Sequence, residues 1–374
     1  MLDTKSRLRF LPIHIINPLA NKEKALHSAE ELESLVVTFG GNIVSRVMQK
    51  RENPDNQTYI GKGKVQEVLE IVKENRVDVV VLSTMAKPRQ IHELKLLLEK
   101  ANPLIEVWDR TDLILNIFDK HASTTEAKLQ IELARMRYMG PRIYGMGYVL
   151  SRQGGGVGTS GIGETNTELM KRHWRNEMKK ITNQLEKISS DKQNQLSRRK
   201  RAGLKTVSLV GYTNAGKSSL FNLLTGKKTL VENVLFATLD SSAGKIYMPK
   251  LHSDVLITDT IGFIRNLSTQ LVNAFKSTLM ESLHADLLLH VIDVSDPEVD
   301  DKIHVVTSIL EDLGRNNDSV VYVFNKCDFV SQEAKDLLKE KYSQNSPLFI
   351  SVKTKDGIIE LENVISDRLL STSY

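Results

Sequence analysis

The stretch VSLVGYTNAGKSSLFNLLTG, residues 207–226, decides the fold of the carboxy-terminal half of this 374-residue chain. An apolar run predicts a buried strand, and the helix-like run that follows ends at Gly226. Between them, residues 211–218 fit the pattern G-x-x-x-x-G-K-[ST]. Glycines let successive N–H groups converge on a phosphate, and the helix N-terminus adds the positive end of its dipole. The stretch therefore predicts a strand–loop–helix unit that binds a nucleotide phosphate.

The side chains at the end of this loop suit a phosphate and a magnesium ion. We expect Lys217 to bridge the β- and γ-phosphates and Ser218 to offer its hydroxyl to Mg²⁺. By itself the pattern indicates a nucleotide and leaves the base open. The nucleotide-binding residues predicted in the loop are Gly211, Tyr212, Thr213, Asn214, Ala215, Gly216, Lys217, Ser218 and Ser219.

A second motif follows in VLITDTIGF, residues 255–263. Its apolar strand ends at Asp259, where a carboxylate can hold Mg²⁺ through water. The N–H of Gly262 can then meet the γ-phosphate. Phe263 comes next, where many GTPases place a glutamine that orients the attacking water. Phenylalanine cannot do so, which predicts slow hydrolysis that a partner accelerates; alternatively, Phe263 merely packs the switch helix.

Two further segments predict that the base is guanine. VVYVFNKCD, residues 320–328, is a buried strand that ends in a carboxylate able to accept both the N1–H and the 2-amino group of guanine. Adenine lacks that donor pair, so Asp328 would discriminate between the bases. The stem of Lys326 can cover the base, and a turn in FISVKT, residues 349–354, can present N–H groups to O6. The residues predicted to complete the site are Asn325, Lys326, Asp328, Ser351, Val352 and Lys353.

The order of these four motifs resembles that of a translation-factor-type G domain over residues 203–369. In such a domain a switch threonine binds Mg²⁺ and touches the γ-phosphate, and loss of that phosphate frees the segment. Thr238 in LFATLD, residues 235–240, is the predicted switch residue, with Thr229 as an alternative. The competing interpretation makes Thr238 an ordinary turn residue.

The remainder of the chain predicts an α/β multidomain protein with three parts. Residues 1–123 alternate strand-like and helix-like runs, which predicts a small parallel α/β unit. Residues 124–200 carry helical periodicity on either side of a glycine-rich loop, 151–165, which predicts an antiparallel helical hairpin. Its second helix has a coiled-coil stripe that we interpret as core: Met170, Trp174, Met178, Ile181, Leu185 and Ile188.

The net charge of +5 is unevenly distributed. Residues 124–201 hold 16 basic and 7 acidic side chains, whereas the segments before and after carry net charges of +1 and −5. This asymmetry indicates a polyanion partner, or else a solvated helix face. With one cysteine, no signal-peptide core and no apolar run of about 18 residues, we expect a cytoplasmic protein; peripheral membrane contact stays open.

Four segments outside the G motifs together resemble the HflX family of ribosome-associated GTPases: TYIGKGKVQEV (58–68), VWDRTDLILNIF (107–118), TTEAKLQIELARMRYMGPRI (124–143) and GVGTSGIGETNTE (156–168). The resemblance implies a monomer that binds the large ribosomal subunit and its rRNA, not DNA, and separates ribosomal subunits under stress when GTP is bound. Its glycine-rich tip would reach toward the peptidyl-transferase region. The RNA contacts it implies are Gly154, Gly155, Gly156, Gly158, Thr159, Gly161, Gly163, Arg198, Arg199, Lys200 and Arg201.

The tip departs from the usual family loop at three positions. Ser160 replaces an arginine, Ile162 a proline and Asn166 a glutamine. Loss of the arginine removes a phosphate or base contact, and loss of the proline loosens the tip. Some family members are also described as using ATP through the N-terminal domain, but residues 1–123 contain no phosphate loop.

Three alternatives to ribosome splitting remain at this point. A ribosome-assembly GTPase would use the same basic hairpin on precursor large subunits. A signalling switch with a protein partner would show affinity that is nearly independent of salt. An RNA-modifying N-terminal domain would need an acid/base pair or a metal cluster, and residues 1–123 offer no pattern for either.

Overall fold

The computed structural model describes residues 7–19, 21–153, 160–227, 235, 242–260, 262–265, 283–315 and 320–371. The chain divides into two compact units. The first comprises residues 1–121 and 128–184, and the second comprises residues 122–127 and 185–374. No helix in the described ranges combines the length and apolar character that a bilayer crossing needs.

The first unit contains a parallel sheet, as the alternating strand and helix signals predict. The sheet runs in the order β2-β1-β4-β5, and β3 also pairs with β1. The strands are β1 Arg9–Ile16, β2 Asn42–Ile43, β3 Val47–Lys50, β4 Val79–Leu82 and β5 Glu106–Asp109. The helices around them are α1 Lys22–Phe39, α2 Lys62–Asn75, α3 Pro88–Leu98 and α4 Arg110–His121.

Local sequence signals explain most of these boundaries. The Asn21 side chain accepts the N–H of Glu23 at 2.8 Å and caps α1, and Gly40 ends that helix at φ 87°. All four residues of β4 are buried, in keeping with a central strand of a parallel sheet. The elements β2, β3 and α4 were not predicted from the sequence. The two strands are so short and partly polar that they show no clear hydrophobic period.

Two long helices form the predicted antiparallel hairpin: α5 Thr125–Gln153 and α6 Ser160–Arg201. The indole N–H of Trp174 donates to the carbonyl oxygen of Met136 at 3.0 Å, and Lys192 pairs with Glu126 at 2.6 Å. The predicted core stripe is only half-buried: Ile181 is buried, but Met170 is 45% exposed. Two helices share a single seam, so a stripe on one of them cannot be enclosed on all sides.

The predicted tip loop, residues 151–165, is too long at both ends. Helix α5 continues to Gln153 and α6 begins at Ser160, so Gly161 and Gly163 lie within the first turn of α6. Adding a residue to an existing helix is far easier than starting a helix. Helix propagation therefore offsets the loss of helix stability that glycine causes, about 1 kcal/mol for each residue. Residues 154–159 lie outside the described ranges.

A buried cluster of charged groups links α5 to the sheet of the first unit. The guanidinium of Arg142 donates to Asp109 at 2.6 Å and to Asp112 at 2.8 Å, and the Tyr138 hydroxyl also donates to Asp109. Asp109 ends β5 and accepts the N–H of Ala86 at 3.0 Å as well. Burial raises the pKa of Asp112 to about 6. These contacts attach the hairpin to the carboxyl end of the parallel sheet.

The second unit contains the predicted G-domain sheet, in the order β11-β10-β9-β6-β8-β7. Its strands are β6 Lys205–Val210, β7 Ser242–Met248, β8 Ser253–Asp259, β9 Leu287–Asp293, β10 Val320–Asn325 and β11 Leu348–Phe349. The described helices are α7 Lys217–Thr225, α8 Val299–Asp312, α9 Gln332–Lys341 and α10 Ile358–Ser371. All pairs are parallel except β7 with β8, so the motif-bearing strands end along one edge.

Candidate nucleotide site

The loop between β6 and α7 adopts a conformation that requires glycine at its two ends. A Cβ on Gly211 would stand 2.2 Å from the carbonyl oxygen of Val291 on β9. Gly216 lies in the left-handed region at φ 94°, and a Cβ there would stand 2.2 Å from the amide nitrogen of Asn325. Neither position can hold a side chain without a shift of its neighbour.

Lys217 begins α7 and is buried against the loop. Its Nζ donates to the carbonyl oxygens of Gly211 at 3.1 Å and Tyr212 at 2.8 Å. Burial lowers the pKa of Lys217 to about 8, although the nearby Asp259 opposes this shift. A phosphate is a stronger acceptor than either carbonyl, so this ammonium is poised to bind an anion in the loop.

Ser218 and Asp259 lie beside each other, as their predicted roles require. The Ser218 Oγ donates to Oδ2 of Asp259 at 2.6 Å, and the carboxylate is almost fully buried at the end of β8. A hydroxyl and a carboxylate are hard oxygen ligands of the kind that Mg²⁺ prefers. The buried hydroxyl of Thr213 has no hydrogen-bond partner among the described residues. Both observations fit a loop that holds a phosphate and its magnesium ion.

Gly262 and Phe263 pack directly against the phosphate loop. The N–H of Phe263 donates to Gly211 at 3.1 Å, and its carbonyl oxygen accepts the N–H of Thr213 at 2.7 Å. A Cβ on Gly262 would stand 2.8 Å from the methyl group of Thr213 and 3.1 Å from Nζ of Lys217. The side chain of Phe263 is only 2% exposed. Phe263 therefore packs inside the domain and is joined to the loop through its backbone.

Asn325 joins the base motif to the phosphate loop. Its amide nitrogen donates to the carbonyl oxygen of Ala215 at 2.9 Å, and its oxygen accepts the N–H of Val352 at 3.2 Å. The N–H of Ser351 donates to the carbonyl oxygen of Asp356 at 3.1 Å. Two of the three N–H groups predicted to face guanine O6 are thus engaged within the protein, which leaves that predicted contact to Lys353.

The residues after Asn325 form a short turn, Cys327–Phe329, that presents Asp328 to solvent. Lys326 precedes it in the left-handed region at φ 64°, and its Nζ pairs with Asp293 at 2.5 Å. Cys327 is buried, its N–H donates to the carbonyl oxygen of Ile350 at 3.1 Å, and burial raises its thiol pKa. An exposed carboxylate beside a fixed lysine stem is the arrangement that the guanine prediction requires.

Asp293, which holds the ammonium of Lys326, is a site residue that was not predicted from the sequence. The signal was present, because LLLHVID, residues 287–293, is an apolar strand that ends in a carboxylate. Its register places Asp293 opposite Asn325 on β10. An acidic residue at the carboxyl end of a buried parallel strand is a candidate for the site edge.

Several predicted site residues lie outside the described ranges or away from this edge. Ser219 follows Ser218 in the first turn of α7. Lys200 belongs to the last turn of α6, where the described side chains of Arg198 and Arg201 are exposed and that of Arg199 is half-buried. Outside the described ranges are Thr238, its alternative Thr229, and the tip residues Gly154, Gly155, Gly156, Gly158 and Thr159.

The β6–loop–α7 unit, the Ser218–Asp259 pair and the guanine motif on β10 together define a P-loop GTPase. Family models match along the chain: "GTP-binding GTPase N-terminal" over residues 26–119, "GTP-binding GTPase Middle Region" over 121–201, and "50S ribosome-binding GTPase" over 206–326. These matches follow one another in the order of the predicted parts.

Relatives of known name narrow the class further. A protein of Caldanaerobacter subterraneus subsp. tengcongensis called GTPase HflX is 43% identical over 339 residues, which cover 91% of this chain and 76% of the relative. The Escherichia coli GTPase HflX is 37% identical over 348 residues, or 93% of this chain and 80% of that protein. The chain belongs to the HflX family of GTPases.

A solved structure supports the same architecture. The crystal structure of SsGBP with GDP has a TM-score of 0.56 and 25% identity, and the match covers 98% of this chain and all of that one. A second structure, a GTP-binding protein of Sulfolobus solfataricus in complex with GDP, has a TM-score of 0.51 at 23% identity and bears on the fold alone.

Proposed function

We propose that this GTPase binds the large ribosomal subunit and, with GTP bound, promotes ribosome splitting or rescue under stress. The observation that carries the proposal is the excess of basic over acidic side chains in residues 124–201, the part of the chain that forms the helical hairpin. A family model described as "50S ribosome-binding GTPase" also matches the G domain. We expect the protein to act as a cytoplasmic monomer, with rRNA as the polyanion that the hairpin contacts.

The charges on α6 suit a long RNA contact. The exposed cations along the helix are Arg172, Arg175, Lys179, Lys180, Lys187, Arg198 and Arg201. Such cations bind RNA phosphates and release the counterions condensed on them. The affinity for RNA therefore depends steeply on salt concentration. Because these side chains are exposed in the free protein, RNA phosphates can reach them without a rearrangement of the helix.

Within the site, each group has a distinct proposed role. Asp328 accepts the N1–H and 2-amino group of guanine, while the stem of Lys326 covers the base. Lys217 leaves its two carbonyl partners for the β- and γ-phosphates. Ser218 and Asp259 would hold Mg²⁺, and Thr238 is its third predicted contact. Mg²⁺, when bound, neutralises charge on the phosphate oxygens.

Hydrolysis in the free protein should be slow because Phe263 offers no hydrogen bond to the attacking water. Its side chain is buried, so it also occupies none of the space in which a water-orienting group could act. A group supplied or ordered by a partner must then complete the site. Gly262 supplies the predicted backbone donor to the γ-phosphate in either case.

Addition of ribosomes tests the proposed partner and the slow intrinsic rate together. GTP turnover is measured for the chain alone, with isolated large subunits and with small subunits as the control. We expect strong acceleration by large subunits only. Equal turnover in all three mixtures would reject both the ribosomal role and the proposal that a partner completes the site at Phe263.

Sedimentation separates splitting from the alternative role in assembly. A splitting factor shifts mature ribosomes to free subunits with GTP, whereas an assembly factor associates with precursor large subunits and leaves mature ribosomes intact. The matched variants are Arg198→Gln with Arg201→Gln on the hairpin, and Lys245→Gln with Lys250→Gln on exposed lysines of the G domain. Only the hairpin pair should weaken subunit binding and flatten its salt dependence.

A further inference from the structure

Tyr212 makes contacts that phosphate binding does not explain. Tyr212 occupies a variable position of the phosphate-loop pattern, at which any residue type is allowed, and its side chain is buried. The Tyr212 hydroxyl accepts the N–H of Arg265 at 2.8 Å, and Nζ of Lys302 on α8 lies 5.0 Å from the ring centroid. Three separate elements of the second unit therefore meet at this side chain.

Arg265 is also held by Glu298, the residue that precedes α8. Its guanidinium donates to both carboxylate oxygens, Nη1 to Oε1 at 3.3 Å and Nη2 to Oε2. The two side chains are 19% and 8% exposed. A bidentate pair so well shielded from water differs from a surface ion pair, because loss of one partner leaves the other charge partly buried.

Arg265 lies three residues after Gly262, the predicted γ-phosphate donor. Phe263, the residue after Gly262, makes two backbone hydrogen bonds to the phosphate loop. Two residues further on, Arg265 is held by Tyr212 and Glu298. Phe263 and Arg265 thus hold the backbone on both sides of Ile264 and fix the chain on the carboxyl side of Gly262.

We propose that Glu298 is a positioning residue for the γ-phosphate contact. It acts through Arg265 and keeps the N–H of Gly262 at the phosphate loop. The inference rests on the GTPase activity and is independent of any ribosomal partner. GDP lacks the γ-phosphate, so a residue with this role affects GTP and leaves GDP binding unchanged. A residue that only stabilised the fold would affect both nucleotides alike.

The test is Glu298→Gln, which keeps the shape of the side chain and removes its charge. Affinities for GDP and for a non-hydrolysable GTP analogue are measured, together with single-turnover hydrolysis. We expect analogue affinity and the hydrolysis rate each to fall by about tenfold, and GDP affinity to change by less than about twofold. Asp300→Asn is the matched control, since Asp300 in the first turn of α8 pairs with Lys341 and Tyr342 instead.

A double-mutant cycle keeps the test valid if one variant is unstable. Arg265→Gln should reproduce the GTP-selective loss, and the double variant should lose little more than either single one. Thermal unfolding verifies that each variant is folded. Equal losses for GDP and the analogue, additive effects, or full retention of analogue affinity in Glu298→Gln would each overturn the proposal.

Discussion

The amide of Asn325 donates to the carbonyl oxygen of Ala215 at 2.9 Å and thereby joins two motifs that lie 110 residues apart. Through its oxygen the same side chain holds the N–H of Val352. One buried amide thus connects the phosphate loop, the strand that carries the base motif and the turn beyond β11. Loss of this side chain would separate the parts predicted to bind phosphate from those predicted to bind guanine.

Gly216→Ala should abolish tight nucleotide binding. The new methyl group would overlap the Asn325 amide, 2.2 Å away, and would break its bond to Ala215. We expect GDP affinity to fall by more than about tenfold, or 1.4 kcal/mol. Gly226→Ala is the control, because Gly226 has a similar φ of 66° with open space around it and should cost only about 1–2 kcal/mol of stability. Equal effects on GDP affinity in a titration would contradict the overlap.

Nucleotide affinity should decrease as the pH rises above the pKa of Lys217, about 8 in the free protein. Phosphate oxygens favour the ammonium, so the pKa rises on binding and the complex takes up a proton. Affinity is therefore constant below that pKa and falls above it. GDP titrations between about pH 7 and pH 9 measure the slope. Lys217→Met should retain only the titration of the nucleotide itself, and parallel curves for the two proteins would rule out this role.

Asp328→Asn should exchange guanine preference for xanthine preference. The amide cannot accept both guanine donors, but it can donate to the carbonyl oxygen that xanthine carries in place of the 2-amino group. We expect GTP affinity to fall by at least about 2 kcal/mol, or roughly thirtyfold. Competition of GTP and xanthosine triphosphate for a fluorescent nucleotide measures the change. Unaltered selectivity would mean that Asp328 does not contact the base.

Arg142→Met should destabilise the first unit strongly, because it leaves the buried Asp109 and the largely shielded Asp112 without their shared cation. Removal of one partner from a buried ion pair typically costs about 3–5 kcal/mol. Arg135→Met on the same helix removes a cation that is 43% exposed, and should cost below about 1 kcal/mol. Urea unfolding compares the two variants, and similar midpoints would show that the cluster contributes little.

The G domain could be predicted in detail because its loops impose fixed chemistry on fixed positions. A phosphate loop needs glycine where a Cβ would strike Val291 or Asn325, and a base-reading carboxylate must follow a buried strand. These requirements leave the same residue types in the same order. The first unit was predictable only as strand–helix alternation, because β2 and β3 are short and one of them is largely polar.

Long-range contacts escaped prediction for a different reason. The pairs Arg265–Glu298 and Lys326–Asp293 join residues 33 positions apart, and no local pattern says which of many charges will meet. The extent of the hairpin tip was also misjudged, because glycine lowers helix propensity without preventing a long helix from continuing through it. Both the ion pairs and the bounds of the tip loop depend on tertiary structure, which local sequence preferences do not encode.

Cys327 makes the turn that is predicted to bind guanine accessible to a simple chemical measurement. It is the single thiol in the chain, it is buried between Lys326 and Asp328, and burial raises its pKa above the ordinary value. A thiol reagent can therefore react with the native protein only when that turn opens. The labelling rate reports the opening of one loop without any engineered probe, and its slowing by GDP would measure how firmly the occupied base pocket stays closed.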